Sequence, residues 1–235
     1  MSQEQLKTIT GSTHDTYSLT SQDFIENRMP RVGQLVCFED GRKMVFCSTK
    51  VDITVGQTVA AQAPNASAVA GATPKGVRVL NVTEASIDAN DWQGGYIMLG
   101  GIIYKIKSNG ATGSGGVGLV EITLYDALNV ALTDTQVCGI LPSRNVEVIV
   151  GEGDLDIVGT CVAAVPAATD VTTMFFWVQY GGLGSIATGA GAGVAVMPGA
   201  GGSGDAQTAA NPIIATVVSA AVSGVAPAII SCDGI

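Results

Sequence analysis

Gly199-Ala-Gly-Gly-Ser-Gly204 has the G-x-G-x-x-G spacing that can wrap a backbone around a pyrophosphate. That chemistry needs a helix to open at the last glycine, so that its free N–H groups and dipole meet the anion. Asp205 to Pro212 follows instead, too short and soon broken by proline. No acidic residue lies about twenty positions on to hold a ribose. The run reads as a glycine loop, and no cofactor is expected. Glu152-Gly-Asp-Leu-Asp156 sets three carboxylates close enough to invite calcium. The EF-hand pattern is absent, and a solvated acidic turn is the simpler reading. His14, the single histidine, sits in a polar N-terminal stretch where no fixed pocket would hold it as a base. H-E-x-x-H, G-x-S-x-G and a P-loop with lysine are all missing.

Cys37, Cys47, Cys138, Cys161 and Cys232 are odd in number and widely spaced, without a C-x-x-C pair. They are expected to be reduced, small apolar residues, with no metal bound. Trp92, Trp177, Tyr96 and Tyr180 could stack a sugar, but aromatics in strands more often fill cores. Lys105 and Lys107, with Lys75 and Arg78 nearby, form the one basic cluster. It suits an acidic partner surface; the alternative is the outer face of a strand, its lysines blocking edge pairing. No catalytic residue emerges, and the chain is not expected to be an enzyme.

These side chains must be positioned by strands. Of 235 residues, 47% are apolar, only 5% aromatic and 13% charged, and 31 are glycine. Small residues and frequent turns in a chain without a long 3.6-residue period describe an all-β protein. The net charge of −9 gives no general electrostatic hold on nucleic acid. From Val171 to Ile235 only Asp205 and Asp233 carry charge, so this quarter is expected to be shielded by another chain or by more of its own. Ala206 to Cys232 has no charge, yet Pro212 and Pro227 bracket only a short apolar piece. As a helix it would span about 21 Å against a hydrocarbon core of about 30 Å, so buried strands are expected and no membrane span. The polar N-terminus lacks a secretion-signal layout, which points to synthesis in the cytoplasm.

Residues 1–33 form an arm in this reading, with a helical turn or two over 21–29 and an apolar stripe that includes Phe24, Ile25 and Met29. These three are candidate partner contacts. Strands follow at Gln34–Phe38 and Lys43–Cys47 around Asp40-Gly41, then 51–61, then a loop at 62–74. Tyr96–Leu99, Ile102–Ile106 and Leu119–Tyr125 make a three-stranded meander, its first turn at Gly100-Gly101. Alternation puts Ile102, Tyr104 and Ile106 on one face and Ile103, Lys105 and Lys107 on the other. Leu128–Val137 reads as a connection and Val146–Val150 as a strand. Met174–Tyr180 is apolar on both faces and so doubly buried. Residues 181–204 read as glycine-studded loop with a strand at 194–197, and strands at 213–218 and 225–230 finish the chain. The expected organisation is a flank module split over 34–75 and 151–235, with an inserted meander module over 76–150.

Ile87-x-x-Asn90-x-x-x-Gly94-Gly-Tyr-Ile, Tyr104-Lys-Ile-Lys-Ser-Asn109 and Val120-Glu-Ile-Thr-Leu-Tyr-Asp126 stand in order along the chain. Together they resemble the capsid decoration (cement) proteins of tailed bacteriophages. Phe175-Phe-Trp-Val-Gln-Tyr-Gly181 and Val194-Ala-Val-Met-Pro198 continue the likeness, which covers roughly 35–230 in order. The strands read above are expected to pack as antiparallel β-sandwich or barrel modules. The resemblance implies an oligomer, most often a trimer, on the capsid exterior against the major capsid protein. Lys105 and Lys107 would be further contacts. The alternative is a virion surface module that binds a host glycan or receptor.

Overall fold

The computed structural model describes residues 17–18, 30–112, 117–152, 156–166, 173–206, 213–219, 221 and 223–232. The chain divides into two compact units, 1–61 with 147–235 and the inserted 62–146. The flank unit opens with β1 (Tyr17–Ser18), β2 (Leu35–Cys37), β3 (Lys43–Thr49) and β4 (Thr58–Ala60). The insert holds β5 (Asn65–Val69), β6 (Val79–Ala85), β7 (Tyr96–Leu99), β8 (Ile102–Asn109), β9 (Val117–Leu124) and β10 (Val137–Leu141). The flank unit resumes with β11 (Ile149–Val150), β12 (Ile157–Cys161), β13 (Met174–Ala187) and β14 (Ala195–Pro198). It ends with β15 (Gly204–Ala206), β16 (Ala215–Val217) and β17 (Val225–Ser231). The fold is all-β and antiparallel, as its composition implies.

The insert is a closed barrel of strand order β10-β5-β6-β9-β8-β7. Alternation builds it. Tyr104 and Ile106, then Val120, Ile122 and Leu124, turn inward with Leu80, Val82, Ile97, Leu99 and Ile140, while Trp92 and Leu128 complete the core. Gly100 and Gly101 take φ of 56° and 81°, the positive values that a tight hairpin between β7 and β8 needs. A bulge between Ile106 and Ser108 shifts the alternation by one residue, so Asn109, not Ser108, is buried.

The expected loop at 62–74 contains β5, and the expected insert start at 76 falls at Gln62 in the compact unit. Asn-Ala-Ser-Ala-Val has little strand propensity of its own. It becomes a strand because β10 and β6 pair with its two edges. β10 itself was not separable from the preceding connection: its Cys-Gly-Ile core is short and weakly patterned.

The flank unit is an eleven-stranded sheet in which β11-β4-β12-β13-β17-β16-β14-β15 follow in order, with β3 and β1 also pairing β13 and β2 pairing β3. β13 organises it. Phe176 and Val178 pack with Val45, Cys47 and Val59 on one face. Trp177 packs with Met44, Phe46 and Val36 on the other, its ring 5.0 Å from that of Phe46. Double burial of this run is what its unbroken apolar character requires. β13 then continues through Gly181, Gly182 and Gly184 to Ala187, a stretch expected as loop. The glycines serve close approach rather than flexibility. Gly182 has φ +82°, and a Cβ there would sit 2.6 Å from the Gly41 carbonyl oxygen. The bulge at Gln179/Gly181 is held by the buried Gln179 amide, whose Nε2 donates to the Gly181 oxygen at 3.1 Å and the Leu183 oxygen at 2.8 Å. Of the arm, Tyr17 and Ser18 pair with Phe175 and Met174. Phe24, Ile25, Met29, His14 and the expected helical turn at 21–29 lie outside the described residues.

Candidate functional site

The G-x-G-x-x-G loop is occupied by its own protein. Ala200–Gly202 form a single 3-10 turn and the chain passes into β15, not into an α-helix. The Gly201 N–H, which an anion would require, donates to Glu152 Oε1 at 2.8 Å. Gln57 Nε2 donates to the Gly201 oxygen at 2.6 Å, closing the loop on the end of β4. Glu152 of the acidic run is thus a loop staple, Asp156 is exposed and residues 153–155 lie outside the described residues. Among the described residues no three His, Cys, Asp or Glu side chains converge as a metal site.

All five cysteines are free thiols, with Cys37 exposed and the other four buried. Cys161 Sγ donates to the Ala163 oxygen at 2.8 Å, and burial pushes its thiol up to about 12. Burial likewise raises the Cys138 thiol. Both shifts oppose thiolate formation, so neither group is primed as a nucleophile. Trp92 and Trp177 are each about 1% exposed and belong to separate cores. Neither can stack on a sugar.

The barrel wall carries the arrangement that remains. On β7, Tyr96 and Met98 point outward; on β8, Ile103, Lys105 and Lys107; on β10, Val137 and Leu141. Register places Leu141 beside Tyr96 beside Lys105, and Gly139 beside Met98 beside Ile103. Gly139 has no side chain, so a groove of about 410 Å3 opens over it, walled by Tyr96, Met98, Ile103 and Leu141 and reaching Pro64. Met98, Ile103 and Leu141 are 51%, 67% and 50% exposed and adjoin one another as an apolar patch, while Val79, Val117, Leu119 and Val137 are further exposed apolar residues of the barrel.

Lys105 and Lys107 stand on the exposed face, as alternation expects. They do not guard an edge, because β8 is paired on both sides in a closed barrel. Lys105 Nζ lies 5.9 Å from the centre of the Tyr125 ring, and neither lysine has an ion-pair partner among the described residues. Ile103 was legible as a neighbour of the lysines from the period of two. Leu141 and the Gly139 floor were not, since they sit on β10.

The fold and this wall define an all-β, two-unit chain with an exposed apolar groove on its barrel. No protein-family model, curated protein or solved structure matches it. Among the described residues no helix is long and apolar enough to cross a membrane.

Proposed function

We propose that this chain is a structural virion protein that decorates and stabilises a tailed-phage head, binding the major capsid protein as a homo-oligomer. One observation carries the association. Leu183 on β13 and Ile229 on β17 are directly paired and are 58% and 54% exposed, in the quarter of the chain whose only charges are Asp205 and Asp233. A sheet face of this kind left in water favours aggregation, and burial against another subunit removes that liability. At about 25 cal/mol per Å2, each 100 Å2 of apolar area so buried contributes roughly 2.5 kcal/mol before association costs.

The trimer and the capsid partner come from the family resemblance. The stretches it quotes between Ile87 and Asp126 lie in the barrel, where Asn90 and Gly94 take φ of 69° and 79° and Asn109 is a buried polar staple. Their roles are structural. The glycan-binding alternative is disfavoured by the barrel groove, whose walls are almost wholly apolar where sugar hydroxyls would need hydrogen-bonding groups.

Light scattering coupled to size exclusion tests the association, with a mass near three times 23.7 kDa expected. Added to expanded capsids that lack it, the protein should bind stoichiometrically and raise their melting temperature. A stable monomer without affinity for capsids would end this reading.

A further inference from the structure

We infer that the groove over Gly139 is a docking site for an extended protein segment that presents a large apolar side chain beside carboxylates. The inference rests on the decoration reading for the partner's whereabouts, and adds to it the surface and the chemistry of recognition.

The shape sets the anchor. The floor is Gly139 and the walls are Tyr96, Met98, Ile103 and Leu141, so the interior offers contact surface and almost nothing to accept or donate a hydrogen bond. A volume of about 410 Å3 is within the range of small-ligand pockets and takes one or two bulky apolar side chains. The barrel is closed, so a partner cannot add a strand to a free edge here and must insert side chains. Met98 is unbranched and polarizable, which lets one wall adjust to the anchor.

Charge sets what flanks the anchor. Lys105 is paired with Tyr96 at the groove wall, and Lys107 follows two residues along the same face. Both ammonium groups are exposed and have no ion-pair partner among the described residues. Carboxylates one or two positions from the anchor would meet them, adding steering and register more than affinity. A second copy docked face to face fits poorly. The patch is a handful of side chains, whereas a stable interface buries about 800 Å2 on each partner. A bilayer surface would need a broader basic field than two lysines.

The test uses the full chain and a fluorescein-labelled heptapeptide in which phenylalanine and leucine alternate with aspartates. Its counterpart has lysines in place of the aspartates. Fluorescence anisotropy should show the acidic peptide bound at least about tenfold tighter, with the difference shrinking as salt rises. Gly139→Leu plugs the floor. A Cβ at Gly139 meets only the flexible Met98 Cε, at an ordinary 3.9 Å, so the strand backbone has room for a side chain that starts there. This variant should weaken acidic-peptide binding about tenfold or more. Lys105→Glu with Lys107→Glu, both at exposed positions, should invert the preference between the peptides.

Equal binding of the two peptides, or undiminished binding by both variants, would overturn the inference. So would a fall in oligomer mass on Gly139→Leu, which would make the occupant a second copy, or loss of capture by phosphatidylglycerol vesicles, which would make it a lipid. Capsid binding separates the two readings. Capsids bound equally by wild type and Gly139→Leu leave the decoration reading standing without the groove. Acidic peptide bound by a protein that ignores capsids leaves the groove standing without the decoration reading.

Discussion

Asn109 Oδ1 accepts the backbone N–H of Trp92 at 2.9 Å, from a side chain only 5% exposed. The same amide donates through Nδ2 to the Asp88 oxygen at 2.9 Å and the Gly110 oxygen at 2.8 Å. One side chain thereby fixes the 86–94 loop and seats the Trp92 ring in the barrel core. Asn109→Ala strands these backbone groups without partners. At about 1 kcal/mol per bond lost, plus desolvation of what is left unpaired, the expected cost is about 3 kcal/mol in urea unfolding. Asn109→Asp keeps the acceptor and loses both donors, and should also destabilise. An Asp variant as stable as wild type would refute the donor assignment.

Gly182 and Gly139 should respond in opposite ways to alanine. Gly182 sits at φ +82° with the Gly41 oxygen and Arg42 Cα at 2.6 and 2.8 Å from a built Cβ, and both are backbone atoms. Gly182→Ala should cost more than about 2 kcal/mol, because strain and clash add. Gly139→Ala, in open strand geometry, should change stability by less than about 1 kcal/mol. Chemical denaturation of the two variants side by side checks the contrast.

Alkaline stability should depend on Cys161. Below pH 9.0, its ordinary value, folded and unfolded chains both keep the thiol proton. Between 9.0 and about 12 only the unfolded chain releases it, so stability falls as pH rises through this window. Three pH units correspond to about 4 kcal/mol at most. Cys161→Ala should flatten the decline relative to wild type over pH 9–11. Parallel curves would count against the burial effect.

Thiol accessibility offers a separate check. Ellman's reagent should titrate Cys37 quickly in the native protein, and all five thiols in denaturant without reductant. A denatured count of three or one would mean that disulfides form.

Trp177 Nε1 is buried without a hydrogen-bond partner among the described residues. An unpaired buried donor costs about 1–3 kcal/mol, which offsets much of what the larger indole ring contributes by packing on Phe46. Trp177→Phe should therefore shift stability by less than about 1.5 kcal/mol, against about 3–5 for Trp177→Ala. A Phe variant as unstable as the Ala variant would show that the indole is better satisfied than its surroundings indicate.

By itself the sequence determined the all-β class, the meander faces and the double burial of Met174–Tyr180. Each of these rests on local alternation or an unbroken apolar run, and neighbouring residues settle both. It also placed Lys105 and Lys107 beside Ile103 on one outward face, and kept the glycine loop at 199–204 from being taken as a phosphate cradle. Tertiary structure alone decided that Asn65–Val69 and Val137–Leu141 are strands, because each is formed by partners far along the chain and has little propensity of its own. For the same reason the groove was out of reach. Its floor at Gly139 and its wall at Leu141 meet Met98 and Tyr96 only once β10 closes the barrel, and no local pattern encodes that long-range pairing.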